Sequence, residues 1–203
     1  MLRILLSILA SGILFIGASP PPAAPTPYTI LPDHSTLTIA GTSTLHDWTC
    51  DVQSFEGTLR AAPADSSAAA VAAISGGQLR VPVAAIECGK DRMNNNLRDA
   101  LRAEAYPTIF YMIESAELTA LPDSAGAWSS AQATGTLIIG GTRHKLTVPG
   151  TVQRQPDGQL RIVGDVSFKM STWGVEPPSV MLGTITTGDR VTIGFDILAA
   201  PSR

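Results

Sequence analysis

The sequence predicts an all-β protein, an eight-stranded antiparallel barrel with one short helix. Three observations carry that expectation. Apolar and polar residues alternate with period two along most of the chain, Gly and Pro punctuate it at short intervals (18 Gly and 15 Pro in 203 residues), and a single stretch has helical spacing. With 44% hydrophobic residues the chain can bury one sizeable core, which fits a single domain. Charged residues make up only 15%, and 14 basic against 17 acidic residues leave a net charge of −3. Domains that grip nucleic acid are normally basic with clustered cations, so the composition excludes nucleic acid as a partner.

The first segment reads as an address. Arg3 precedes an apolar run from Ile4 to Ile16 broken only by Ser7, Ser11 and Gly12, and the small residues Gly17, Ala18 and Ser19 follow. A membrane-crossing helix needs roughly 20 apolar residues. This run is shorter, so residues 1–19 are expected to be a secretory signal peptide rather than an uncleaved anchor, and the mature form is expected to have no integral membrane span. Residues 20–27, with Pro20, Pro21, Pro22, Pro25 and Pro27, form a Pro-rich linker of fixed φ angles and missing N–H donors. The barrel domain is expected over residues 28–200, in the periplasm or secreted. Losing the signal removes Arg3 and no acid, so the exported form is more acidic still.

The strands follow in order. Tyr28 to Leu31 is a short run ended by Pro32-Asp33; Thr36 to Thr42 and Val52 to Arg60 alternate; Gln78 to Val83 follows Gly76-Gly77. Between the second and third of these, Cys50 is one of two cysteines, the other being Cys88. Outside the cytoplasm an even count is expected to pair, and a Cys50–Cys88 disulfide would stabilise the fold by about 4 kcal/mol on the chain-entropy model. The alternative, a redox pair or thiolate metal site, lacks a CxxC and any histidine at a suitable spacing. Ala61 to Ala73 is low in complexity and reads as a surface excursion.

Lys90 to Ala105 is the helical stretch, with Met93, Leu97 and Leu101 recurring every four residues and Tyr106-Pro107 ending it. Asn94, Asn95 and Asn96 are poor helix formers, so an irregular first turn is expected. Beyond it come Thr108 to Leu118, Ala133 to Ile139, His144 to Gln153, Leu160 to Met170 and Arg190 to Leu198. The turns between them, such as Gly140-Gly141 and Pro156-Asp157-Gly158, suit antiparallel hairpins.

So many antiparallel strands with one apolar face must form a sandwich or close on themselves. Glycines inside strands (Gly41, Gly57, Gly135, Gly164, Gly194) suit the bends of a small closed barrel. Alternation then nominates the inward face: Leu37, Ile39, Phe55, Leu59, Ile109, Tyr111, Ile113, Leu137, Ile139, Ile162, Val166, Phe168, Ile193 and Phe195. These residues either line a hollow or fill a solid core, and a register error of one residue would exchange the faces.

Several short blocks, in order, resemble the YceI-like family. They are Asp33-His34-Ser35, Phe55-Glu56-Gly57-Thr58, Ala105-Tyr106-Pro107, Gly135-Thr136-Leu137-Ile138-Ile139-Gly140-Gly141-Thr142 and Trp173-Gly174-Val175. The resemblance implies a lipocalin-like barrel in the bacterial periplasm holding a long isoprenoid or other amphiphile in an apolar channel, with no established enzymatic activity. Leu45-His46-Asp47-Trp48 followed by Cys50, with Cys88 before the helix, resembles one variant of the family and supports the pairing. In the helical block the more widespread version has His-Leu and Phe-Phe pairs where this chain has Asn94-Asn95 and Ala100-Leu101, so aromatic walls are expected to be lost there.

A carrier would bind an isoprenoid or fatty-acid-like chain through its wall, since each buried methylene contributes about 0.8 kcal/mol. Arg143, His144 and Lys145 are candidates for holding a head group, against the plainer reading of a solubilising hairpin tip. Lys90, Arg92, Arg98 and Arg102 form a second basic rim, largely offset by Asp91, Asp99 and Glu104. The three histidines, His34, His46 and His144, are far apart and suggest no metal site, and no cofactor motif is present. Two other functions compete: a solid-core envelope-stress or protein-interaction barrel, and a hydrolase-like activity at His46 and Asp47. A homodimer is compatible with the chain.

Overall fold

In the computed structural model, residues 24–63, 71–121, 128–180 and 184–202 are described. The expected signal peptide and the first residues of the linker lie outside them. The strands are β1 (Thr26–Ile30), β2 (Thr36–Ser43), β3 (Trp48–Val52), β4 (Glu56–Pro63), β5 (Val71–Pro82), β6 (Ile86–Glu87), β7 (Thr108–Ala120), β8 (Ser129–Ile139), β9 (Thr142–Arg154), β10 (Leu160–Lys169), β11 (Ser179–Val180) and β12 (Ile185–Pro201). The single α-helix among the described residues, α1 (Asp91–Ala100), lies between β6 and β7. None of the helices described is long and apolar enough to cross a membrane.

All pairings are antiparallel, and they close an eight-stranded barrel. Three positions in its wall are each shared by two consecutive strands. β12 pairs with β2 from Thr187↔Ser43 to Asp196↔Thr36 and then with β1 from Ala199↔Ile30 to Pro201↔Tyr28. In the same way β3 pairs with β2 while β4 pairs with β1, and β6 pairs with β3 while β5 pairs with β4. Short 3-10 turns at Pro32–His34 and Val83–Ala85 mark two of these breaks. The meander β7-β8-β9-β10 completes the wall and returns to β12.

The two ends of the barrel differ. At one end the inward residues are small or tightly packed: Ala61, Val152, Leu160 and Ala199 are almost completely buried, with Ile74, Ala131 and Ile197 beside them. The other end carries the β2–β3 and β8–β9 turns and α1. Gly140 and Gly141 make the β8–β9 turn with φ of 53° and 82°, the pair of positive values that a two-residue hairpin matched to strand twist requires.

The structure modifies several boundaries. Thr26 and Pro27, expected in the linker, belong to β1, paired with Ala61 and Arg60. The expected strand Val52 to Arg60 is two strands separated at residues 53–55. Ala61 to Ala73 is not simply a surface excursion: Ala61, Ala62, Val71 and Ile74 are buried in the β4–β5 hairpin, and only 64–70 lie outside the described residues. A run of alanines looks featureless in sequence, yet small side chains are what a crowded barrel end accommodates. The helix stops at Ala100, five residues short of the expected end, because Arg102 enters the left-handed region (φ 54°) and donates to the Gly140 carbonyl.

Cys50 and Cys88 are disulfide-bonded, joining β3 to the residues just before α1. Replacing both by serine should lower stability by about 4 kcal/mol, measured as the free energy of urea unfolding of the oxidised protein. A loss below about 1 kcal/mol would mean the bond closes no costly loop in the unfolded chain.

Candidate functional site

The barrel interior is an apolar cavity of about 520 Å³, within the range of small-molecule sites. Its wall is built by period-two alternation. Leu37 and Ile39 of β2, Leu59 of β4, Ile109, Tyr111 and Ile113 of β7, Leu137 and Ile139 of β8, Ile162, Val166 and Phe168 of β10, and Ile193 and Phe195 of β12 all line it. These are the wall positions expected from sequence, less one. Phe55 is buried but lies in the filled core, since the chain breaks between β3 and β4 and sets it outside the hollow. Alternation also gives Val81, Leu146, Val148 and Ile197, which the sequence reading passed over although they share the same parity as their neighbours.

Inward residues such as Ile39, Ile113, Ile162 and Ile193 are only half-buried despite facing the centre of the molecule. Their partly open surface is the surface of the cavity itself. Two aromatic rings lie flat against this wall because glycines make room beneath them. A Cβ at Gly135 would stand 3.0 Å from two ring carbons of Tyr111 and collide with the Met112 carbonyl. A Cβ at Gly164 would stand 2.7 Å from Cζ of Phe195. Covering a strand glycine with an aromatic ring restores apolar contact that the missing side chain forfeits.

Tyr111 directs its hydroxyl at the Ala133 carbonyl (2.8 Å), with the Leu146 carbonyl also in reach at 3.1 Å. Burial pushes its pKa up to about 12, and the Glu114 carboxylate adds to the shift. Glu114 itself sits outside the barrel, where it accepts from Lys145 and from Thr136; these hydrogen bonds hold its carboxyl below the usual range.

The helix covers much of the open end. Met93, Leu97, Ala100 and Leu101 turn toward the cavity and line it, the helical spacing legible in the sequence. Both ends of this cover are fixed. Asn94, only 4% exposed, accepts from the Cys88 N–H at 2.8 Å and donates to Glu87, while Arg102 reaches Gly140 at the far side. Next to it, Trp173 is buried against Leu137 and Phe168 and donates to the Leu137 carbonyl at 3.0 Å.

What remains is a mouth between the β2–β3 turn, the start of α1 and the approach to β12, lined by Ser43, His46, Trp48, Lys90, Arg92, Asn96, Pro178 and Thr187. Ser43 shapes the turn: its hydroxyl oxygen accepts from the N–H groups of Leu45 (3.3 Å) and His46 (3.2 Å), and the hydroxyl donates to the His46 carbonyl (2.7 Å). His46 therefore stands at the rim, whereas Asp47 does not line the cavity. The head-group residues expected from sequence are elsewhere. Arg143, His144 and Lys145 do not line the cavity; His144 stands edge-on to Trp173 and Lys145 pairs with Glu114. Strand parity points Lys145 outward, and the β8–β9 turn lies against Leu101, Arg102 and Tyr106, which follow α1.

The family model for the YceI-like domain matches residues 28–199. The chain belongs to the YceI-like family. Among solved structures this YceI-like barrel is similar to Burkholderia cenocepacia BcnA, with a TM-score of 0.66 and 19% identity over 84% of this chain and 99% of that one. It is also similar to a polyisoprenoid binding domain from Saccharophagus degradans implicated in plant cell wall breakdown, with a TM-score of 0.64 and 15% identity over 86% of this chain and 98% of that one. The Campylobacter jejuni YceI protein gives a TM-score of 0.53 and 14% identity, covering 76% of this chain and 84% of that one. At these identities the likeness establishes the fold. No curated protein matches the sequence.

Two substitutions test this wall. Gly135→Ala should cost about 1–3 kcal/mol in urea unfolding, because the Tyr111 ring and the β7 backbone must both move. Tyr111→Phe should cost about 1 kcal/mol at neutral pH through its lost hydrogen bond. A phenol whose pKa is raised on folding contributes stability that is complete below its unfolded value and lost as pH rises through its folded value. The difference between wild type and Tyr111→Phe should therefore shrink as pH climbs from about 10 to about 12, followed by unfolding at a series of pH values.

Proposed function

We propose that this YceI-like protein is a non-catalytic carrier or buffer that takes a long-chain amphiphile, of isoprenoid or fatty type, into its barrel and shelters the tail from water. One observation carries the reading: a closed wall surrounds an apolar cavity of about 520 Å³ that inward side chains leave unfilled. At about 0.8 kcal/mol per buried methylene, a tail of a dozen carbons gains enough to bind without special chemistry. The polyisoprenoid binding domain from Saccharophagus degradans shares the fold, which supports a chain of this class. An extracytoplasmic, periplasmic setting fits the disulfide and the signal-like start of the sequence.

The experiment is export of the full chain from a bacterial host, followed by organic extraction of the purified protein and mass spectrometry. A defined long-chain amphiphile should co-purify. Re-adding prenyl quinones or fatty acids to stripped protein should raise its melting temperature, with about 2.7 kcal/mol of stabilisation at a hundredfold excess over Kd. Protein that carries no lipid and gains no stability from either class would end the carrier reading. Filling the hollow with Ile113→Trp and Ile162→Trp together should weaken binding by at least about tenfold while the barrel stays folded.

A further inference from the structure

The charged residues on the cavity surface are all of one sign. Among the described residues that line it there is no aspartate and no glutamate; Lys90, Arg92 and His46 supply its basic groups, and the one other ionisable side chain is the Tyr111 phenol deep in the wall. This is the reverse of the chain as a whole, whose net charge is −3. Asp47 and Asp91 are neighbours of these residues in sequence, yet neither lines the cavity. Lys90 and Arg92 make no ion pair among the described residues, unlike Arg80, Arg98, Lys145 and Arg161, each of which is paired with a carboxylate.

Their position is fixed by the fold. Lys90 lies two residues beyond Cys88, whose disulfide partner Cys50 lies four residues beyond His46. Asn94 clamps the same corner from the helix side through Cys88 and Glu87. Exposed cations whose backbone positions are held by the disulfide corner, that make no ion pair among the described residues and that line the opening of an apolar cavity suit a ligand with a negative group at the end of an apolar body.

We infer that the amphiphile is anionic, and that its phosphate or carboxylate head sits at the mouth against Lys90, Arg92 and His46 while its tail fills the barrel. This rests on the carrier reading and narrows it. The head and the tail contribute separately, so their tests separate as well.

Stripped full-length protein is titrated with farnesyl phosphate and with farnesol, which share one tail, and with palmitate and hexadecanol as a second pair. Wild type should bind each anionic member about tenfold more tightly than its neutral partner at low salt, and the ratio should fall as salt is added. Lys90→Gln with Arg92→Gln should bring the ratio to within about twofold, while Arg143→Gln, a cation outside the cavity, should leave it unchanged. Inorganic phosphate alone should not compete at concentrations where farnesyl phosphate saturates. Equal affinities for the charged and neutral partners in wild type would overturn the anionic head and leave the carrier standing. Competition by inorganic phosphate at the affinity of the prenyl phosphate would assign the mouth to a free anion instead. Binding of none of the four chains would remove the carrier reading itself.

Discussion

A sheet can surround empty space only if it has no open edge, and β12 is the strand that meets this condition. Along one side it is registered with β10 from Leu160↔Ala199 to Lys169↔Arg190. Along the other it takes β2 and then β1, two pieces of chain separated by a 3-10 turn at Pro32–His34. The ring is thus closed by backbone hydrogen bonds, with both sides of β12 paired. A sandwich of two sheets depends on side chains meeting in the middle. A closed barrel does not, so its inner residues are released from holding the wall together, and Ile39, Ile113 and Ile193 can remain half-covered without the wall falling inward.

That freedom is used unevenly along the axis. At the filled end, Leu160, Val152, Ala199 and Ala61 are packed to nearly complete burial, as in an ordinary core. The covered end relies on specific bonds instead. The disulfide, Asn94 and the Arg102 contact with Gly140 pin α1 across the opening, and Trp173 fills the corner against which the end of the helix, Ala100 and Leu101, packs. The tightest packing is thus at one end of the barrel and the opening at the other, with core residues such as Leu37, Leu59 and Ile197 also lining the cavity, which is how a domain of this size can keep a cavity and still have a core.

Much of this was legible in the residues. Alternation along β7, β8, β10 and β12 placed the wall because one buried face and one wet face leave a period-two trace that a strand cannot disguise. It misplaced Phe55, since a break at residues 53–55 alters what a correct parity faces, and such breaks leave no apolar signature. Of the charges, Arg143, His144 and Lys145 stand together in sequence yet do not line the cavity, whereas Lys90 and Arg92, which the sequence placed in a second basic rim, meet His46 of the β2–β3 turn at one opening. The irregular first turn expected from Asn94, Asn95 and Asn96 does not form: all three lie in the regular helix α1, where Asn94 is a buried amide that satisfies the Cys88 N–H, a gain outside any propensity scale.

Residues 90–101 carry no aromatic side chain, yet the cavity has aromatic walls. Tyr111, Phe168, Phe195 and Trp48 line it from the strands. The rings of Tyr111 and Phe195 rest on glycines, so they pack closely against the backbone at the waist of the barrel. The helix contributes Met93 and Leu97, and an unbranched Met side chain adapts to irregular surfaces at small cost. On the carrier reading proposed above, a closely packed waist under an adaptable cover would limit the cross-section of a tail more strictly than its length, leaving ligands of equal bulk to be distinguished by the polar residues at the rim.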